Sequence, residues 1–378
     1  VHALYEAAIP KAQRDDRKAL LREFAATGFP DKGLESWHYT DFSALAELGF
    51  SSSRSPVAAA EFPFDSAQAL PLATPDPLSF STSFALDGLN AALAQQGVNK
   101  MWEGVSHRPL LIAEAEPGDG AMAHRRHQFS LLEGAQATLV IWDEPGAAAT
   151  SASFATSVLQ LTLTANSQLT LIRLQQAPAS ATRALHVQAN LSAGASLRVF
   201  SLDLSAAKSR FELEVDLKGA GASVEAHGLV AVTDKAHADA QLRIIHSAPH
   251  CRSLVDYRLL AAGRAKVVFN GGVLVREGAI KTDSQTHCHS LLLSAKAEID
   301  AKPELEINAD DVQCAHGATY GQLNDDAAFY LQSRGISKAQ AQTLLTRAFA
   351  TKVLESLPLE GVRAEAERVL AELLEPSA

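Results

Sequence analysis

A short phrase returns repeatedly between about residues 120 and 312, and few folds can accommodate it. It reads Gly134-Ala-Gln-Ala-Thr-Leu-Val-Ile, then Asn166-Ser-Gln-Leu-Thr-Leu-Ile and Gly194-Ala-Ser-Leu-Arg-Val-Phe. Gly221-Ala-Ser-Val-Glu-Ala and Gly263-Arg-Ala-Lys-Val-Val-Phe complete the series. Each copy opens on a residue that tolerates positive φ and then alternates apolar with polar residues, the pattern of a turn feeding a strand. The starts lie 32, 28, 27 and 42 residues apart. Uneven spacing near 30 predicts stacked coils of a β-solenoid with insertions, each coil burying its inward face on its neighbours. A β-sandwich, whose hairpin strands also carry turn residues, is the competing architecture.

The flanks read as helical. Ala19, Leu20, Phe24 and Ala25 share a helical face that Gly28 and Pro30 end. The polar run Ser51 to Pro56 predicts a loop, and Leu86 to Leu93 a helix among many prolines. Beyond residue 320, Asn324 caps a helix running through Arg334, and Gly335 closes it. Ser337 with Gln340 forms a capping box, followed by an apolar stripe of Ala341, Leu344, Leu345, Ala348 and Leu354 that stops before Pro358. A last helix carries Val362, Ala366, Val369, Leu370 and Leu373. Helices this short bury little by themselves, so they pack on the β-region or offer a face to a partner.

The totals exclude several functions. A formal net charge of −10 with no basic cluster argues against a nucleic-acid binder. No 18-residue apolar run predicts a membrane helix, and Val1 to Arg22 lacks the apolar core of a signal peptide. Three widely spaced cysteines, 251, 288 and 314, suit a reducing cytoplasm better than a disulfide scaffold. There is no Walker loop, no Gly-x-Ser-x-Gly elbow, no dinucleotide fingerprint and no Cys-x-x-Cys. That pattern favours a scaffold or binding protein over a free-standing enzyme.

Soft-ligand residues gather late in the β-region. His287, Cys288 and His289 are consecutive in an expected strand, so the two imidazoles share one face and the thiol takes the other. Two imidazoles at that spacing can hold a metal jointly, and the plainer alternative is a solvated face with Cys288 buried as a small apolar group. Cys314 and His316, two apart at the expected strand-to-helix junction, share a side in an extended segment. A thiolate with an imidazole suits iron, zinc or a cluster edge, whereas a turn at Gly317 is the structural alternative. His246, His250 and Cys251 around Pro249 read as a turn between coils, and Trp37-His38-Tyr39 as packing for the N-terminal region. Asp203, Glu212, Glu214 and Asp216 could serve a carbohydrate-active solenoid, but their alternation reads as solvated strand positions.

At these residues the chain resembles the SufB/SufD family of iron–sulfur cluster assembly proteins. The most specific stretch is Lys302-Pro303-Glu304-Leu305-Glu306-Ile307, Asp310-Asp311-Val312, Cys314, His316-Gly317-Ala318-Thr319 and Gly321-Gln322-Leu323. It continues in Phe329-Tyr330-Leu331 and Ser333-Arg334-Gly335-Ile336, while Glu35-Ser36-Trp37-His38-Tyr39-Thr40 resembles the family's N-terminal motif with His38 in place of Lys. Ala315-His316-Gly317-Ala318 replaces the Glu-His-Glu-Ala typical of SufB members, which places the resemblance on the SufD branch. The resemblance implies a right-handed parallel β-helix at 116–315 between helical regions at 1–115 and 316–378. It implies a non-catalytic scaffold subunit that pairs with SufB through the β-helix and docks the SufC ATPase with its C-terminal helices. Phe329, Tyr330, Arg334, Leu344 and Leu345 are the residues expected at that docking face. By position, His316 is the expected contribution to a transient iron–sulfur cluster shared with SufB, with Cys314 beside it. Cys288 falls where SufB members place a cysteine, and with His287 and His289 it forms an additional candidate ligand set. Flavin binding is left open, as is a homodimeric iron-binding protein acting without SufB.

Overall fold

In the computed structural model, residue 9 and residues 14–52, 67–76, 80–143 and 151–374 are described. The polar run read as a loop at 51–56 lies mostly outside them. Three short strands come first: β1 (Ser51–Ser52), β2 (Gln68–Ala69) and β3 (Asn99–Trp102). The long series follows as β4 (Leu110–Glu114), β5 (Ala121–Leu131), β6 (Gln136–Asp143), β7 (Ser153–Leu163) and β8 (Gln168–Gln175). It continues through β9 (Ala181–Leu191), β10 (Ser196–Asp203), β11 (Lys208–Leu217), β12 (Ser223–Val232) and β13 (His237–His246). The last are β14 (Arg252–Ala261), β15 (Lys266–Val275), β16 (Asp283–Leu292), β17 (Glu298–Ile307) and β18 (Gln313–Gly321). Odd-numbered strands stack in one nine-stranded sheet, sheet A, and even-numbered strands in another, sheet B, with the pairs between successive coils parallel throughout. The chain thus climbs about seven turns of a solenoid, and the sandwich alternative fails because, among the described residues, no hairpin joins consecutive strands.

Registration follows the turns. Ser196, Ser223, Arg252, Asp283 and Gln313 stack in one column, 27 to 31 residues apart. Two residues before each stands one in the left-handed region: Gly194, Gly221, His250, Lys281 and Asp311. Their backbone N–H groups reach the next coil, as in Asn166 N to Ala193 O at 2.9 Å, Gly194 N to Ala220 O at 3.0 Å and His250 N to Ile280 O at 2.9 Å. The expected fifth phrase at Gly263 belongs to the opposite corner, before β15; the true fifth is His250. That removes the 42-residue gap.

Inward positions alternate with outward ones, and both sides are covered. Leu169, Leu171, Leu197, Val199, Phe211, Leu213, Val267 and Phe269 fill the interior, fully or almost fully buried. Each such side chain contributes roughly 1.5–3 kcal/mol through burial. Gly228 makes room for Tyr257, because a Cβ there would lie 2.1 Å from the ring. Among the described residues, five α-helices flank the solenoid: α1 (Arg14–Thr27), α2 (Asp87–Leu93), α3 (Asp325–Ser333), α4 (Lys338–Leu354) and α5 (Glu360–Leu374). Phe24 of α1, Leu89 of α2 and the buried Trp37 pack with Phe154 and Val158 on the outside of sheet A. Val353 and Leu354 of α4 and Val362 and Leu370 of α5 pack with Phe200, Leu229, Leu260 and Leu291 on the outside of sheet B. Strands buried on both faces read as apolar runs such as Val140-Ile141-Trp142.

Two helices turn differently from expectation. α1 buries Arg17, Leu21 and Phe24, not Ala19 or Ala25. The reason is Arg17, whose Nη1 donates to the Ala91, Ala92 and Ala94 carbonyls at 2.8–3.1 Å. α4, capped by the expected Ser337–Gln340 box, buries Ala341, Thr346, Ala350, Val353 and Leu354 and leaves Leu344 47% exposed. Its contact with sheet B rotates the stripe, and Leu344 is left facing outward.

Candidate functional site at the open end of the solenoid

β17 and β18 are the last strands of their sheets, and no further coil covers them. Their inward side chains therefore emerge at an open end. On β18 the column holds Cys314, His316, Ala318 and Tyr320, opposite Ser284, Thr286, Cys288 and Ser290 of β16. Cys314 and Ala318 pack against the end of the interior core, and His316 between them is exposed. The pair lies within a strand that runs to Gly321, not at a strand-to-helix junction or in a turn at Gly317. Across the mouth stand Ala301, Leu305 and Ile307 of β17, and Tyr320 Oη donates to Ala301 O at 2.9 Å. Tyr320 is 57% exposed and Ile307 43%, so the mouth is an apolar rim around a thiol and an imidazole.

The other cysteines are enclosed. Cys288 is fully buried in the core, and burial pushes its thiol up to about 12. Cys251 is likewise buried, and burial raises its thiol too. Cys314 is half-buried; burial and then the Asp283 charge raise its thiol. A thiol near iron or zinc would be deprotonated by the cation, which outweighs such a shift.

His287 and His289 point outward from sheet B, as the alternation requires. His289 Nδ1 shares a 2.9 Å hydrogen bond with Thr319 Oγ1, and its Nε2 is 3.9 Å from Asp256 Oδ1. They are separated from Cys288 and Cys314 by the sheet itself, so the five expected ligands form two groups. Among the described residues, no three His, Cys, Asp or Glu side chains converge to hold a metal ion. His246 and His250 are structural: His246 Nε2 meets Ser253 Oγ at 2.9 Å, Ser253 Oγ donates to Ser284 Oγ at 2.8 Å, and His250 supplies a left-handed turn. Trp37 anchors the N-terminal region by stacking under the Arg210 guanidinium, 3.8 Å from its ring centroid.

The candidate docking residues sit on α3 and α4. Phe329 is 73% exposed and Tyr330 59%, Arg334 lies 5.4 Å over the Tyr330 ring, and Leu345 is half-buried beside the exposed Leu344. These side chains leave apolar area exposed on one helical pair.

Sequence reasoning missed the acids that the fold encloses. Glu114, Asp143, Gln175 and Asp203 occupy one inward column at the corner of four successive coils. Asp203 is buried against Arg173 Nη1 at 3.2 Å, and Glu114 accepts from Ser157 Oγ at 2.5 Å and pairs with His127 at 3.0 Å. Glu212, also read as solvated, is flanked by Arg210 Nε at 2.6 Å and His186 Nδ1 at 3.1 Å. Burial alone would raise its pKa, but Arg210 and His186 bring it down to about 2. The available signal was the recurrence of acids at one position of successive coils.

Fold and site together define a class: a parallel β-solenoid that presents an incomplete soft-ligand pair on an uncovered coil. A family model described as "SUF system FeS cluster assembly, SufBD core domain" matches residues 112–349. The iron–sulfur cluster assembly protein SufD of Escherichia coli (strain K12) is 28% identical over 98% of this chain and 95% of its own length. A SufBD family protein of Mycobacterium leprae (strain TN) is 30% identical over 70% of this chain and 67% of its own. Another, from Synechocystis, is 36% identical over 44% of this chain and 37% of its own. The chain belongs to the SufB/SufD family and is SufD-like within it. No helix among the described residues is long and apolar enough to cross a membrane.

Proposed function

We propose that this chain is the SufD-type scaffold subunit of a cytoplasmic iron–sulfur cluster assembly complex, and that its open end contributes His316 and Cys314 to a nascent cluster. The observation that carries the reading is the uncovered last coil. Two soft ligands are too few for iron, which takes four donors in the common clusters, so the missing ones come from a second molecule. The bare backbone edges of β17 and β18 are suited to pairing with the strands of another solenoid, which in this reading is that of SufB.

Phe329, Tyr330 and Leu344, with Arg334 and Leu345, are the proposed seat of the SufC ATPase. Nucleotide-driven movement there would act on sheet B through α4, whose residues pack on Leu260 and Leu291. The energy enters as a difference in affinity between open and closed states of the complex. A right-handed winding and a division into N-terminal, β-helix and C-terminal units belong to the same proposal.

Co-expression with SufB- and SufC-type subunits, anaerobic purification and absorption spectra test the reading. A ternary complex is expected, with cluster absorbance reduced at least several-fold by His316→Ala while the complex still assembles. A metal-loaded homodimer of the chain expressed alone, with no affinity for those subunits, would replace it with the homodimeric iron-binding reading.

A further inference from the structure

Across the outer face of sheet A runs a groove of about 640 Å³, floored by β11, β13, β15 and β17 and walled by Ser36 and Ser83. It reaches the open end only at Leu305, and the cysteine and histidine of the open-end site do not line it. Two rows of outward side chains cross its floor in register. One runs from His186 through Glu212 and Gln241 to Asn270. The next runs from Glu214 through Arg243 and Gly272 to Glu304.

Gly272 leaves the middle of the second row bare. A Cβ at this position would meet only Leu242 O at 3.5 Å and Asn270 Oδ1 at 4.0 Å, which are ordinary contacts. The backbone does not require glycine here, so what the glycine provides is the hollow.

The walls hold unspent hydrogen-bonding capacity. His186 is buried, its Nδ1 is held by Glu212 Oε2, and its Nε2 has no partner. With Nδ1 engaged by Glu212, Nε2 is the ring nitrogen left with an unused hydrogen-bonding position. Among the described residues, Arg243 forms no ion pair and Asn270 no side-chain hydrogen bond, although both line the groove. Glu304 pairs with Lys302 through Oε1 only, and Glu306 accepts from Asn308 through Oε1 only.

Charge and length narrow the ligand. With Glu304 paired to Lys302, Glu214 and Glu306 still outnumber Arg243, the one lining cation without an ion pair among the described residues, on a chain whose net charge is −10, so the local field attracts a cationic partner. Among the described lining residues there is no Phe, Tyr or Trp, and the His186 imidazole is already stacked on Phe84 with ring centroids 5.3 Å apart, which removes an open stacking platform for a nucleobase. From β9 to β17 is four strand spacings, roughly 19 Å. That length matches about six residues of extended chain.

We propose that this groove binds an extended basic segment of a partner polypeptide, about six residues long. Its lysine or arginine side chains face Glu214, Glu304 and Glu306, and one acidic group meets Arg243. A backbone amide of the segment supplies the hydrogen-bond partner that His186 Nε2 lacks.

The test is fluorescence anisotropy with the full chain and a labelled hexapeptide of three lysines, one glutamate, one serine and one glycine. Saturable binding is expected, weakened at least ~10-fold when the lysines become glutamates. Gly272→Leu fills the hollow and should also weaken binding at least ~10-fold with an unchanged thermal midpoint. Replacing the peptide's glutamate by glutamine should weaken binding to the natural chain and cost nothing further against Arg243→Ala. Glu360→Gln, on the distant exposed start of α5, should bind normally. Equal affinity for Gly272→Leu, a preference for the acidic peptide, or no saturation at millimolar peptide would each overturn the proposal.

Discussion

The penultimate and last coils carry the same kind of inward residue in different surroundings. Cys288 on β16 and Cys314 on β18 both point into the solenoid from sheet B, one strand apart. Cys288 is roofed by the final coil, fully buried, and its thiol is pushed up to about 12; Cys314 has no roof and is half-open. The same holds across the interior, where Phe269 on β15 is fully buried while Ile307 on β17 is largely uncovered. Residue type does not separate these pairs. The number of coils above them does, and reactivity at this end follows from where the stack stops.

The contrast can be broken most forcefully by stability. Phe269→Ala empties a sealed interior position and should cost about 3–5 kcal/mol, whereas Ile307→Ala should cost under about 1 kcal/mol. Urea unfolding of the two variants checks this, and equal losses would mean that the last coil is as closed as the others. Alkylation with iodoacetamide at pH 8 sharpens the comparison next. Cys314 should react at least ~100-fold faster than Cys288, since the buried thiol is about three pH units further from ionisation than an ordinary one. Peptide mapping by mass spectrometry reads the ratio, and similar rates would place Cys288 in solvent.

A smaller effect concerns protons inside the sealed coils. Burial lowers the His246 pKa from 6.5 to about 4, with Asp283 opposing only in part. The unfolded chain therefore binds a proton at this residue that the folded chain refuses. Its stabilising contribution is complete above pH 6.5 and is lost as the pH falls towards 4, amounting to about 2 kcal/mol between pH 7 and pH 5. His246→Asn should flatten the stability profile in that window by this amount.

The coils were legible in sequence where their turns used residues that advertise a left-handed backbone. Gly134, Asn166, Gly194 and Gly221 announced four coils. His250, Lys281 and Asp311 adopt the same conformation without announcing it. A non-glycine residue there costs roughly 1–2 kcal/mol, which the N–H ladder between coils offsets, so tertiary structure overrides local preference. The alternation of His287, Cys288 and His289 was readable because strand geometry alone fixes it. The burial of Asp203 and Glu212 was not, because alternating acids look alike whether water or arginine faces them. The exposure of Leu344 was also hidden, since apolar spacing defines a helical face but not whether the chain or a partner covers it.

The open end gives the most direct test. The chain alone and the chain mixed with a SufB-type subunit should be alkylated under anaerobic conditions and Cys314 labelling compared. The account predicts at least a ~10-fold slowing of Cys314 in the complex, with Cys288 unreactive in both. Unchanged labelling of Cys314 in a complex shown to form would contradict it.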